Sequence, residues 1–210
     1  MKRRIYKKLI FIILSVMIVG IISYAYSEVN VWYSDSDYVS YTPYDGSYYI
    51  NNYSINTTYT SYLYSAMSNA NVEWNSVLPI GITETSFNYA LNYVYGGTRD
   101  QLLTIFPSLS TTTTGMTVNT YKNTITTITY SGTYKYVREL VPGNKMCVVE
   151  RTGTTANQYK NTATHEMGHL FGWNGHSNFS TDIMYYYQGN IINLTERDKT
   201  HIKQIYDLMY

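Results

Sequence analysis

The chain has 210 residues, with 15 Lys and Arg against 14 Asp and Glu for a formal net charge of +1. Five of the basic residues and none of the acidic ones fall within residues 1–27, so ten basic and fourteen acidic residues remain, a formal −4. A chain of that sign gives no electrostatic case for a nucleic-acid partner. Only 14% of residues are charged while 26 are tyrosine, a composition that suits strands and exposed loops but names no ligand.

In chain order, Lys2, Arg3, Arg4, Lys7 and Lys8 precede an uncharged apolar run over 9–22, and Ala25 and Ser27 are small residues placed for cleavage before Glu28. Residues 1–27 are expected to be a secretion signal. An uncleaved membrane anchor is the alternative, because apolar character extends weakly to Tyr26, although the run is short for a span. Residues 28–210 are expected to form one domain outside the cytoplasm, large enough for a sizeable core, with the membrane as a partner only if the segment is retained.

Patterning predicts strands at 48–53, 80–83, 91–95, 125–130 and 145–150 and helices at 57–77, 156–171 and 196–208, an α+β class. Gly96-Gly97 and the threonine tract 111–114 read as loops, and no internal repeat is seen. The single cysteine excludes an intramolecular disulfide. Cys147 lies in the apolar run Lys145-Met146-Cys147-Val148-Val149 and reads as a buried small hydrophobe, with a regulatory thiol as the alternative.

The helix over 156–171 opens on Thr155-Ala156-Asn157-Gln158, which fits a capping box, and Ala156, Tyr159, Ala163, Met167 and Leu170 recur at helical spacing as core. On that helix His165 and His169 lie one turn apart on one face, where both imidazoles can converge on one metal ion. Glu166 points to a neighbouring direction and can reach water at the metal without ligating it, as a general base. Gly172 sits where the helix ends, and a glycine there lets the chain turn sharply and return His176 to the metal. Three protein ligands leave a fourth tetrahedral position open, the layout of catalytic zinc, and the other candidate ligands for closing a structural site, Cys147 and His201, are isolated in sequence.

With those residues in hand the segment resembles the zinc-binding signature of the metzincin metallopeptidases, most nearly the matrixin branch. Ser177-Asn178-Phe179-Ser180-Thr181-Asp182-Ile183-Met184-Tyr185 resembles the family's methionine turn, with Met184 as its methionine. Leu194-Thr195-Glu196-Arg197-Asp198 resembles the opening of its C-terminal helix. Ala70-Asn71-Val72-Glu73-Trp74 followed by Pro79-Ile80-Gly81-Ile82 is similar to its first helix and the strand after it.

The resemblance implies a single metzincin-like catalytic domain: a twisted mixed sheet of about five strands with a zinc-site helix and a C-terminal helix. It implies a secreted zinc endopeptidase, with Glu166 as base, one catalytic zinc on His165, His169 and His176, a protein or peptide substrate, and a monomeric state. An edge strand beside the cleft would hold the substrate extended, with 125–130 as the candidate. In one respect the chain departs from the pattern: Trp173, Asn174 and Gly175 intervene between the turn glycine and His176, so the family's third-ligand position falls on Gly175. His176 is the assignment, with Asn174 or Glu196 as alternatives. Tyr186 occupies the place where some metzincins carry a tyrosine at the oxyanion, and lining of the specificity pocket is its other reading. Calcium, common in the family, has Asp35, Asp37 and Asp45 available but no spaced carboxylate loop. Nothing matches the family's latency propeptide. A non-catalytic extracellular binding protein that keeps the fold is the alternative function.

Overall fold

A computed structural model describes residues 38–42, 47–130 and 133–207; the expected secretion signal and Asp35, Asp37 and Asp45 lie outside the described residues. The elements expected near 48–53, 80–83, 91–95 and 145–150 are strands β2 (Ser47–Ser54), β3 (Gly81–Glu84), β4 (Asn92–Thr98) and β8 (Asn144–Glu150). They form a five-stranded mixed sheet in the order β3-β2-β4-β8-β5, with β5 (Gly115–Val118) at its end. β2 pairs parallel with both β3 and β4, and β4 parallel with β8. Parallel neighbours need a crossover, and between β2 and β3 it is helix α1 (Thr60–Asn75).

The sheet explains its own sequence. In β4 Asn92, Val94 and Gly96 are buried while Tyr93 and Tyr95 are half-buried, the alternation of a strand with one better-covered face. In β8 Met146, Cys147, Val148 and Val149 are all buried, because that strand is covered on both sides. On one side the helix Ala156–Leu170 packs on β8, and beside it α1 packs over β2 with Leu63, Met67 and Trp74 fully buried, burying the first two contributing about 1.5–3 kcal/mol each. On the other side, Leu102 of the short helix α2 (Arg99–Leu102), with Phe106 and Leu109 after it, closes over Cys147 and Val149. Cys147 is thus a buried strand residue, and burial pushes its thiol pKa up.

Two more helices complete the layer: α3 (Ala156–Leu170), against α1 and β8, and α4 (Glu196–Asp207). Among the described residues no helix is long and apolar enough to cross a membrane.

One expectation is corrected. The strand expected at 125–130 is present as β6 (Tyr121–Tyr130), but it is not the edge beside the site. It pairs antiparallel with β7 (Thr133–Leu140), which pairs parallel with β1 (Tyr38–Tyr41), in a separate three-stranded sheet. Of the main sheet's two edges, β3 and β5, the one beside the site is β5, antiparallel to β8 and packed beside the helix Ala156–Leu170. Four residues that include a glycine are too short to show a strand period, which is why Gly-Met-Thr-Val does not announce itself.

Candidate metal centre

The helix that carries the site is fixed at both ends. At its start the Thr155 hydroxyl accepts from the Gln158 amide at 3.3 Å and the Gln158 side chain accepts from the Thr155 amide at 2.9 Å, the reciprocal capping box. Tyr159, Ala163, Met167 and Leu170 are buried, whereas Ala156, in the first turn, is exposed. At its end Trp173 N donates to Gly168 O and Gly172 N to His169 O, both at 3.0 Å, with Gly172 at φ +102°. This is a Schellman turn with glycine at the position that must be left-handed. The backbone of Ser40 lies against the Gly172 Cα where a side chain would be. Gly172→Ala therefore meets both a forbidden φ and the Ser40 carbonyl, and is expected to cost about 3 kcal/mol or more in chemical denaturation.

Gly175 is also left-handed, at φ +76°, and absorbs the extra residue before His176. One ligand nitrogen from each of His165, His169 and His176 lies within 4.8 Å of the others, and all three rings are half-buried. The competing candidates are elsewhere. The Asn174 amide donates to Ser40 Oγ at 3.0 Å, Glu196 is exposed and paired with Lys199, and His201 is buried against the Trp173 ring with centroids 3.9 Å apart. Among the described residues this is the one grouping of three or more such side chains, so nothing there supports a calcium site.

The donor set fits a metal. His165 Nδ1 lies 2.8 Å from Ile183 O and His169 Nδ1 2.7 Å from Trp173 O. A carbonyl only accepts, so each Nδ1 carries its ring's proton and each Nε2 is a bare lone pair. Those two Nε2 atoms face each other across 3.1 Å. Two lone pairs so placed repel unless a cation lies against both; nitrogens about 2.0–2.1 Å from a tetrahedral zinc stand about 3.3 Å apart. A proton does not serve: burial first, then the neighbouring imidazoles, hold His165 well below the ordinary histidine range, and burial brings His169 down to about 4.

Beneath the histidines the methionine turn is braced from α4. Met184 is fully buried, and a Cβ added at Gly168 would stand 2.5 Å from its sulfur, so the glycine makes room for it. Asp198 accepts from Ile183 N at 3.0 Å and Met184 N at 3.3 Å, and from Thr195 N at 2.9 Å, which also caps α4. Asp182 is held by Arg197 through two nitrogens, at 2.8 and 3.1 Å, and by the Ser177 hydroxyl at 2.6 Å. A continuous path of hydrogen bonds therefore runs from α4 through the Ile183 peptide to the His165 ring. From the other side, Trp74 Nε1 of α1 donates to Thr164 O at 2.8 Å and Glu73 accepts from Leu194 N at 2.8 Å.

Glu166 is buried beside the histidines with 7% of its surface exposed, and burial raises its pKa to about 7 against the opposing effect of a hydrogen bond from Thr117. Tyr186 stands edge-on to His176 with centroids 4.9 Å apart and is 65% exposed. These groups open on a cleft of about 830 Å³ bordered by β5, the glycine turn and residues 185–188. Apart from Glu166 and the histidines its lining is uncharged, mostly Thr, Asn, Tyr and Gln. Sequence reading passes over Thr117 and Asn119, and it gives Asp198, named only in the opening of the C-terminal helix, no role at the site. Only Asp198 had a signal, the Thr-x-x-Asp spacing from Thr195 that marks a helix start.

A mixed sheet with a histidine-bearing helix, a glycine turn and a buried methionine under the histidines is the arrangement of a metalloprotease family. Residues 107–207, which contain β5, α3, the three histidines, Met184 and α4, match the family model described as Matrixin. Over those residues, just under half of its length, the chain is matrixin-like. Among solved structures it is similar to two of myroilysin: one at 14% identity and a TM-score of 0.44, covering 78% of this chain and 94% of that one, the other at 13% and 0.42, covering 83% and 94%. Among curated proteins none matches the sequence.

Proposed function

We propose that this protein is a secreted zinc endopeptidase. The observation that carries the reading is the pair of carbonyl-oriented imidazoles whose bare Nε2 atoms converge beside a buried carboxylate in an open cleft. His165, His169 and His176 would hold the metal. Zinc bound there supplies Lewis-acid chemistry, making water nucleophilic near neutral pH and polarising the scissile carbonyl. Glu166 takes a proton from the attacking water and passes it to the leaving amine. Its pKa near 7 suits a group that must accept and release a proton in one turnover. Tyr186, against His176 at the cleft, can offer its hydroxyl to the oxygen that becomes negative, or line the pocket.

The substrate is a polypeptide held extended. Beyond its ladder with β8, β5 forms no other pairing among the described residues, and its residues 115–117 line the cleft. An antiparallel peptide added to that edge would run from the Asn119 end, where the Asn119 amide donates to His169 O at 2.7 Å, toward Gly115 beside Thr162. Secretion rests on the basic and apolar segment at the N-terminus.

The test is a digest of a peptide mixture by the zinc-loaded protein, with zinc counted per chain. About one zinc per chain is expected, with internal peptide cuts that stop on chelation and return with added zinc. Full zinc with no cut in any peptide would overturn the enzymatic reading in favour of a binding protein that keeps the fold.

A further inference from the structure

We infer that Thr117 is a positioning residue for Glu166, and that the edge strand β5 therefore sets the general base as well as the substrate; the inference rests on the proteolytic reading above. The Thr117 hydroxyl lies 2.7 Å from Glu166 Oε2 and 2.9 Å from the carbonyl oxygen of the same residue. Among the described residues it is the one hydrogen-bond donor recorded on that carboxylate. The hydroxyl has one proton, which it shares in a three-centre bond between Oε2, the nearer acceptor, and the helix carbonyl, and threonine's branched Cβ restricts its rotation.

Two residues back, Gly115 faces the same way along the strand. A Cβ there would stand 2.6 Å from Glu166 Cγ and 2.8 Å from Oε1, so the carboxylate side chain fills the space the glycine leaves. The base is bounded by Gly115 on one side and hydrogen-bonded by Thr117 on the other. Oε2 is engaged, and Oε1 is the oxygen left for proton transfer. Substrate and base then share one four-residue strand as their reference, and misplacement by about 1 Å can cost 10²-fold in rate.

A purely structural role, pinning β5 to α3, makes a different prediction. It would loosen substrate binding or lower stability without selectively slowing turnover. Thr117→Val keeps the branched shape and removes the hydroxyl; Thr117→Ser keeps the hydroxyl. With zinc-loaded protein and a peptide substrate, Thr117→Val is expected to lose about 10–100-fold in kcat with zinc still near one per chain. KM should move by less than about threefold, and Thr117→Ser should recover to within about threefold of wild type. In a crystal structure of zinc-loaded Thr117→Val the Glu166 carboxylate is expected in more than one rotamer. If valine does not fold, Thr117→Ala, which only deletes atoms, should show the same loss in kcat. An unchanged kcat, a defect confined to KM, or a serine variant as slow as valine would overturn the inference while leaving the proteolytic reading intact. A wild-type protein that binds zinc and cuts nothing would instead remove that reading, and this one with it.

Discussion

Glu166→Gln is expected to lower peptide hydrolysis by about 10²–10⁴-fold while leaving about one zinc per chain, measured by initial rates and metal content on the same preparation. Glutamine keeps the shape and can still meet the Thr117 hydroxyl, but it cannot take a proton. The carboxylate is also costly to bury. Its folded-state pKa of about 7 stands above the ordinary 4.5, so between those values the folded chain holds a proton that the unfolded chain has released. The penalty is absent below pH 4.5, grows as pH rises toward 7 and is fully present above it. In metal-free protein, Glu166→Gln should therefore melt higher than wild type at pH 8, with the gap closing toward pH 4.5. A gain in stability joined to a loss in turnover is the mark of a group kept for chemistry. Equal cleavage by the two proteins would remove Glu166 from the mechanism.

The parts of this site that could be read in the sequence are those where one helix or one turn fixes the geometry. His165, Glu166 and His169 are placed relative to one another by helical pitch alone, and the capping box at Thr155 and Gln158 is local too. Gly172 and Gly175 are legible because a left-handed backbone leaves few other choices. What stayed hidden depends on pairing across the chain. Thr117 of β5 lies 49 residues before the Glu166 of α3 that it meets, and nothing in Gly-Met-Thr-Val says that the strand will end the main sheet against α3, or that Thr117 will face Glu166. β7 is not legible either, because the alternation in Thr-Tyr-Lys-Tyr-Val-Arg-Glu-Leu breaks at Tyr136-Val137, and its pairing with β6 is what draws 125–130 away from the cleft. The brace from Asp198 to the methionine turn spans 14 to 15 residues and closes only when α4 has docked.

His176→Ala is expected to weaken zinc binding by about 10³-fold, on the reasoning that a three-histidine site divides its binding free energy among few ligands. The ring lies parallel to that of His165, at 22° with centroids 5.2 Å apart, and reaches the cluster only because Gly175 turns the chain with φ +76°. At a zinc concentration about a thousandfold above the wild-type Kd, binding adds about 4 kcal/mol to stability; after a 10³-fold loss the same concentration adds about 0.4 kcal/mol. The readout is the zinc-dependent rise in melting temperature, which should nearly vanish in the variant while metal-free melting changes little. Asn174→Ala and Glu196→Gln serve as contrasts and should keep the full zinc-dependent rise, because the first side chain is turned to Ser40 and the second lies exposed on α4. If His176→Ala kept the rise and either contrast lost it, the third ligand would have to be reassigned. Loss in His176→Ala alone would mean that a metzincin site can take one residue more than its usual spacing, provided the residue before the ligand is a glycine free to adopt the left-handed turn.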